Sequence, residues 1–166
     1  MQSMQASDSM KFQESNGWTV EIEASVIELL QSYKQSGRCQ RESCGILFGT
    51  IYEKSKTTVI NRASGIIPGS KRSRHRCHRP RKKAQELVNM LWEESKGTVN
   101  YLGEWHTHPE RNPTPSGIDL KNWDSILKWV TTDSERLYFL IVGTDFLQLW
   151  VGDRKTKSIQ HLELLA

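Results

Sequence analysis

The sequence predicts an α/β (α+β) fold, a single domain in which a mixed, mostly antiparallel sheet is flanked by helices. Three observations lead there. Segments with a period of two are interleaved with segments whose apolar residues recur at helical spacing, in the order β-α-β-β-α-β-α-β-β-β. Several consecutive strands are joined by short Gly/Asp turns, which favours antiparallel pairing. The chain has 166 residues with neither an internal repeat nor a low-complexity tract, the size of one ordinary hydrophobic core.

Residues 1–15 are polar and irregular and read as a flexible N-terminal arm, which leaves 16–166 for the domain. Trp18, Val20 and Ile22 alternate with Thr19, Glu21 and Glu23, the pattern of a half-buried strand. From Ala24 the period changes. Val26, Ile27, Leu29, Leu30 and Tyr33 follow helical spacing, and Gly37 is the expected stop. CGILFGTIY, from Cys44 to Tyr52, is a nearly unbroken apolar run that suits a strand covered on both faces, with Thr57 to Ile67 as its hairpin partner. Pro68 to Pro80 reads as a basic loop, and Ala84, Leu87, Val88, Leu91 and Trp92 as one face of a helix that ends near Gly97. Val99 to His108 reads as a strand broken by Pro109, Pro113 and Pro115. Ser116 then opens a helix through Trp129, with Asp119 placed as in a capping box. Arg136–Gly143, Phe146–Val151 and Ser158–Leu164 close the chain as short strands.

Composition narrows the class. Hydrophobic residues make up 36% of the chain and charged residues 25%, and no apolar run approaches the roughly 20 residues a bilayer span requires. The first 18 residues lack the charged-then-apolar order of a secretory signal, so a soluble, cytoplasmic protein is expected. The cysteine count agrees with a reducing compartment. Three thiols make no disulfide framework, so Cys44 reads as a small buried apolar residue and Cys39 and Cys77 as partly exposed free thiols. The net charge of +4 is local, because Lys71 to Lys83 holds eight cations and no acid, leaving the remainder at −4. A solvated loop is the default reading of that run, and a docking surface for an acidic or carboxylate-ended tail comes next. Nucleic acid ranks third, since no aromatic is interleaved with the cations to stack on bases.

The stretch GEWHTHPERNPTPSGIDL, residues 103–120, concentrates the chemistry. On a strand, His106 and His108 project from one face and can converge on one ion. Asp119 lies one turn into the next helix, three residues after Ser116, so both side chains can look back at the strand. Two imidazoles, one carboxylate and an open position are the donor set of a catalytic zinc site. A carboxylate that takes a proton from water is still needed. Glu42, at the start of the apolar strand, and Glu104, two residues before His106, are the candidates; Glu104 lies farther down the strand and is better placed to support a ligand.

His106-x-His108, seven residues, Ser116, two residues and Asp119, with an upstream glutamate before an apolar-glycine strand, resembles the JAMM (JAB/MPN) metalloprotease motif, and the resemblance runs from about Trp18 to Leu149. It implies Zn2+ held by His106, His108 and Asp119, an oxyanion hydrogen bond from Ser116, and Glu42 as general acid/base. One departure falls at Ser43-Cys44-Gly45, where many relatives carry two glycines near the glutamate. Members of that family are isopeptidases that cut after the C-terminal residue of a ubiquitin or ubiquitin-like tail. GEWHTHP with PTPSGID, together with the basic KRSRHR segment, is more particularly similar to the JAB-type deconjugating proteases of bacterial CBASS anti-phage operons. The partner this implies is the C-terminus of a CD-NTase conjugated to a target protein. Two other readings stay open: a peptidase that processes a ubiquitin-like or sulfur-carrier precursor, and a non-catalytic or nucleic-acid-associated module of the same fold.

Overall fold

The computed structural model describes residues 8–166. The elements, in chain order, are β1 (Met10–Gln13), β2 (Thr19–Ile22), α1 (Ala24–Gln31), β3 (Cys44–Tyr52), β4 (Thr57–Ala63), β5 (Lys71–Arg72), β6 (Cys77–His78), α2 (Arg81–Glu94), β7 (Asn100–Thr107), α3 (Gly117–Trp129), β8 (Arg136–Val142), β9 (Leu147–Asp153), β10 (Ile159–His161) and β11 (Glu163–Leu164). Nine strands form one sheet in the order β10-β9-β8-β7-β3-β4-β2-β1-β11. Among the described residues only the β2/β4 and β7/β8 pairs are parallel, so the sheet is mixed and mostly antiparallel, as the sequence predicts.

The two ends of that order are neighbours in the chain. Leu162 alone separates β10 from β11, so the sheet curls enough to bring its two end strands to consecutive places in the chain. One face turns inward and buries Val20, Ile22, Leu47, Trp105, Tyr138 and Leu149, with Val26, Ile27 and Leu30 of α1 in the same cluster. The outer face packs Ile46, Phe48, Phe139 and Ile141 against Trp123 and Leu127 of α3 and the half-buried Leu87, Val88 and Leu91 of α2. α2 has no fully buried residue, consistent with a helix lying on the rim.

Several expectations are corrected. Residues 1–7 of the expected arm lie outside the described residues, whereas Met10–Gln13 is a strand paired with β2 and β11, because Phe12 supplies an apolar anchor that is 1% exposed. α1 stops at Gln31, well before Gly37, where the Ser32 hydroxyl donates to the Leu29 carbonyl and competes for the helical ladder. The basic loop contains the small β5–β6 hairpin. Cys44 and Cys77 are not free thiols: they form a disulfide with Cα atoms 5.9 Å apart. Their separation of 33 residues carries no motif, and only the return of the hairpin across β3 brings them together. Cys39 is free and exposed. No helix among the described residues is long and apolar enough to cross a membrane.

Candidate metal centre

β7 sits in the middle of the sheet between β3, antiparallel to it, and β8, parallel to it. Its two faces have different tasks, and a bulge assigns them. Leu102 and Trp105 both enter the inner core although three positions apart, an odd spacing that a regular strand would send to opposite faces. The ladder shifts register here, from Leu47 opposite Gly103 to Phe48 opposite Tyr101. Gly103 makes the shift possible with φ +139°, a region that favours glycine, and a Cβ there would stand 1.8 Å from the Tyr138 carbonyl oxygen. Beyond the bulge, Trp105 faces inward and Glu104 and His106 face the helices. Without it the parity would reverse, turning Trp105 toward the pocket and His106 into the core.

The two histidines emerge where β7 ends beneath α3. Their Nε2 atoms lie 3.0 Å apart. Asp119 reaches both, with Oδ1 3.3 Å from His106 Nε2 and Oδ2 3.1 Å from His108 Nε2. Ser116 is the N-cap of α3: its hydroxyl oxygen accepts from the Asp119 amide at 3.1 Å, while its own amide donates to Asp119 Oδ2 at 2.8 Å. The capping box expected from the sequence therefore also fixes the carboxylate that faces the histidines. Among the described residues the Ser116 hydroxyl accepts from the Asp119 amide and donates to no protein group. The loop from Pro109 to Pro115 is stiffened by its prolines and tied to the β8–β9 turn, where the Thr144 amide donates to Glu110 O and the Phe146 amide to Arg111 O.

Glu42 enters from the other side. Cys44 pairs with His106 across the β3–β7 ladder, so the residues just before β3 lie alongside His108. Glu42 Oε1 is 3.9 Å from His106 Nε2, and the donor atoms of Glu42, His106 and His108 all fall within 4.8 Å of one another. Glu104, by contrast, is bound to the Arg79 guanidinium deep in the wall. Its carboxylate is committed to an ion pair, so of the two glutamates considered for proton transfer Glu42 is the one left free. Trp105 precedes His106 in the chain and the Trp123 ring lies 6.4 Å from that of His106, but both are core residues, 0% and 2% exposed, with Trp123 stacked on Phe139.

Protonation follows burial and charge. Burial pushes the Glu42 carboxyl up to about 7 against the pull of His108 and Arg79, with Asp119 adding to the rise. Burial also works against the charged form of Asp119, but hydrogen bonds with His106 and His108 outweigh it and hold this group well below the usual carboxylate range. Burial lowers His106, and contact with Asp119 offsets this only in part. It opposes the charged form of His108 too, yet Asp119, Glu42 and Glu110 raise this group overall. The imidazole pair thus accommodates one positive charge more readily than two.

Two supporting groups have no obvious signal in the sequence. Glu110 Oε1 is 3.0 Å from His108 Nδ1, a carboxylate that orients the ring from behind. Its position two residues after His108 is the only hint. Gln35, in the loop after α1, accepts from the Thr107 hydroxyl at 3.0 Å and donates to the Gln40 and Arg74 carbonyls, while Thr107 Oγ1 accepts from the Ser43 amide. This buried chain joins the loop before β3, the end of β7 and the basic hairpin.

The donor set fits a zinc ion. Zinc bound at about 2.0–2.1 Å in a tetrahedron has ligand atoms about 3.3 Å apart. The two Nε2 atoms, 3.0 Å apart, lie near that edge, and each has an Asp119 oxygen within 3.3 Å, one oxygen facing each ring. A cavity of about 470 Å³ opens over His106 and Asp119, lined also by Glu42, Ser116 and the hairpin.

This fold, with paired histidines at a strand end and a carboxylate capping the next helix, defines a JAB-type domain. The chain belongs to the family described as prokaryotic homologs of the JAB domain, whose model matches residues 26–155. Among curated relatives, a "CD-NTase/cGAS isopeptidase" of Escherichia coli (strain TW11681) is 38% identical over 146 residues, covering 87% of each chain. A protein of the same name from Vibrio cholerae serotype O1 is 34% identical, covering 89% of this chain and 90% of the relative. The solution structure of a protein from Desulfitobacterium hafniense shares the fold, with a TM-score of 0.56 at 14% identity over 84% of this chain and 87% of the other.

Proposed function

We propose that the chain is a zinc-dependent isopeptidase. Its substrate is the bond between the C-terminus of a CD-NTase, conjugated in the manner of ubiquitin, and a target protein, and its cleavage reverses that conjugation in bacterial anti-phage defence. The observation that carries the reading is the convergence of His106, His108 and Asp119, with Nε2 atoms 3.0 Å apart and Asp119 oxygens within 3.3 Å of them, and with the Glu42 carboxylate 3.9 Å from His106. The substrate comes from the names of the curated relatives.

His106, His108 and Asp119 would hold the ion. Zinc, when bound, supplies Lewis-acid chemistry: it polarises a carbonyl and makes a water easier to deprotonate. Glu42 accepts the proton that water loses as its oxygen adds to the scissile carbonyl carbon. The same carboxyl then delivers the proton to the departing lysine nitrogen, so the C–N bond breaks with a neutral amine as product. A group near pH 7 can perform both steps, and burial raises Glu42 to about 7. The Ser116 hydroxyl donates to the oxygen that becomes negative.

The test is incubation of the purified protein with conjugates made by a CD-NTase-linked E1/E2-like enzyme, followed by mass spectrometry of the products. Release of an intact CD-NTase C-terminus and an unmodified lysine, stopped by a zinc chelator, is the expected result. Conjugates left intact, or cleavage indifferent to chelation, would overturn the reading.

A further inference from the structure

The eight cations between Lys71 and Lys83 do not have equal roles. Arg79 binds Glu104. Arg72 donates to the Glu42 carbonyl and to the Ser43 hydroxyl, and Arg74 to the Arg38 carbonyl, so these two hold the hairpin against the loop before β3. Lys71, Arg76, Arg81, Lys82 and Lys83 are exposed and, among the described residues, none lies within 4.0 Å of a carboxylate.

The fold disfavours charges of this sign where they stand. Arg81, Lys82 and Lys83 occupy the first turn of α2, the positive end of the helix dipole, with no acidic residue in that turn and no side-chain cap. An arrangement that is unfavourable within the chain becomes favourable when an anion is brought from outside. The platform is also rigid. The Cys44–Cys77 disulfide, the Glu42 amide bonded to Ser73 O at 2.7 Å and the Gln35 amide bonded to Arg74 O at 3.0 Å all fix the hairpin, so little order remains to be imposed on binding.

Its position gives the surface a purpose. Lys71 and Arg76 border the cavity that contains Glu42, His106 and Asp119. His78, Arg79 and Asn122 are shared between this cavity and a groove that continues between α2 and α3 past Arg81 and Trp129. Cations therefore line the path into the centre, while the rest of the chain sums to −4.

We propose that the β5–β6 hairpin and the first turn of α2 form a docking surface for an acidic polypeptide segment next to the scissile bond. This rests on the isopeptidase reading and narrows its substrate class. A polypeptide fits better than a nucleic acid. Its carboxylates can stay on the cationic rim while uncharged backbone enters the cavity, whereas a continuous phosphate chain would be driven against Glu42 and Asp119. The run from Lys71 to Lys83 also contains no aromatic on which bases could stack.

The experiment compares two isopeptide-linked substrates that differ only in four residues beside the scissile bond, Asp/Glu in one and Ser/Asn in the other, cut by the zinc-loaded full chain. The acidic substrate is expected to have kcat/KM about tenfold higher at low salt, mostly through KM, with the ratio approaching one at about 0.5 M NaCl. The triple variant Lys71→Glu, Arg76→Glu, Lys82→Glu should reverse the preference. Equal rates on both substrates, or a preference that survives salt and charge reversal, would overturn the proposal. Fluorescence anisotropy with labelled polyglutamate and a labelled single-stranded DNA of equal charge separates the remaining outcomes. Tighter binding of the DNA would also overturn it. Salt-sensitive polyglutamate binding that the triple variant loses, with neither substrate cut, would leave the docking surface standing and remove the isopeptidase reading instead.

Discussion

The two walls of the metal pocket are built in opposite ways. One wall, His106 to Asp119, is local in sequence, and each of its parts has a signature: a strand with alternate histidines, a proline-broken turn, a capping serine and aspartate. The other wall, the β5–β6 hairpin, is held by long-range connections, a disulfide across 33 residues and arginines that reach the loop before β3. The difference separates tasks. The local wall presents the proposed ligand atoms, and the distant wall shapes the entrance.

The largest effect expected on the local wall is that of Asp119→Ala, which removes the carboxylate joining both imidazoles. Metal analysis should show zinc lost, and turnover of an isopeptide substrate should fall to background. Retention of one zinc per chain would show that Glu42 takes a place among the ligands. Next comes Glu42→Ala, for which turnover should drop by about 10²–10⁴ with zinc retained, the contribution usual for a general base. A fully active, zinc-loaded Glu42→Ala protein would return the task to Glu104.

The same glutamate sets a pH dependence that urea unfolding of chelator-treated protein can read. Its carboxyl is raised by burial from 4.5 to about 7, so the folded chain binds more protons than the unfolded chain between these values. Glu42 therefore makes no unfavourable contribution at pH 4, one that grows as pH rises from about 4.5 to about 7, and a constant one above that. Glu42→Gln should leave stability at pH 4 unchanged and raise it at pH 8 by roughly 3 kcal/mol. Equal stability of the two proteins at pH 8 would contradict the burial argument.

The distant wall is tested by Cys77→Ser. Opening a loop closed over 33 residues should cost about 3–4 kcal/mol of stability relative to the disulfide-bonded protein and close to nothing once a reductant has opened the bond in both, while zinc content stays at one per chain. Zinc loss in this variant would show that the two walls are not independent. The smallest effect on stability is expected from Ser116→Ala, about 1 kcal/mol for the lost N-cap. Its turnover should fall about 10²–10³, a loss in kcat rather than KM, if the hydroxyl also serves the oxyanion.

Much of this contrast was legible in the sequence. The boundaries of β3 follow from an apolar run with turns on both sides, and the strand–loop–helix from Val99 to Trp129 follows from alternation, prolines and a cap. The family resemblance of the His106 to Asp119 segment agrees with the match to the prokaryotic JAB family. What stayed hidden depends on distant contacts. The partnership of Cys44 with Cys77 needs the hairpin to fold back, the binding of Glu104 to Arg79 depends on where α2 begins, and β1 is a strand because Phe12 finds the inner core. Gln35 is polar in a loop and gives no sign that it joins three segments.

X-ray absorption at the zinc edge of the purified protein tests the central claim most directly. The expected spectrum is one zinc per chain with two imidazole nitrogens and otherwise oxygen at about 2.0–2.2 Å. A shell of sulfur at about 2.3 Å would place the metal on the cysteines, and protein that takes up no zinc at all would remove the centre itself.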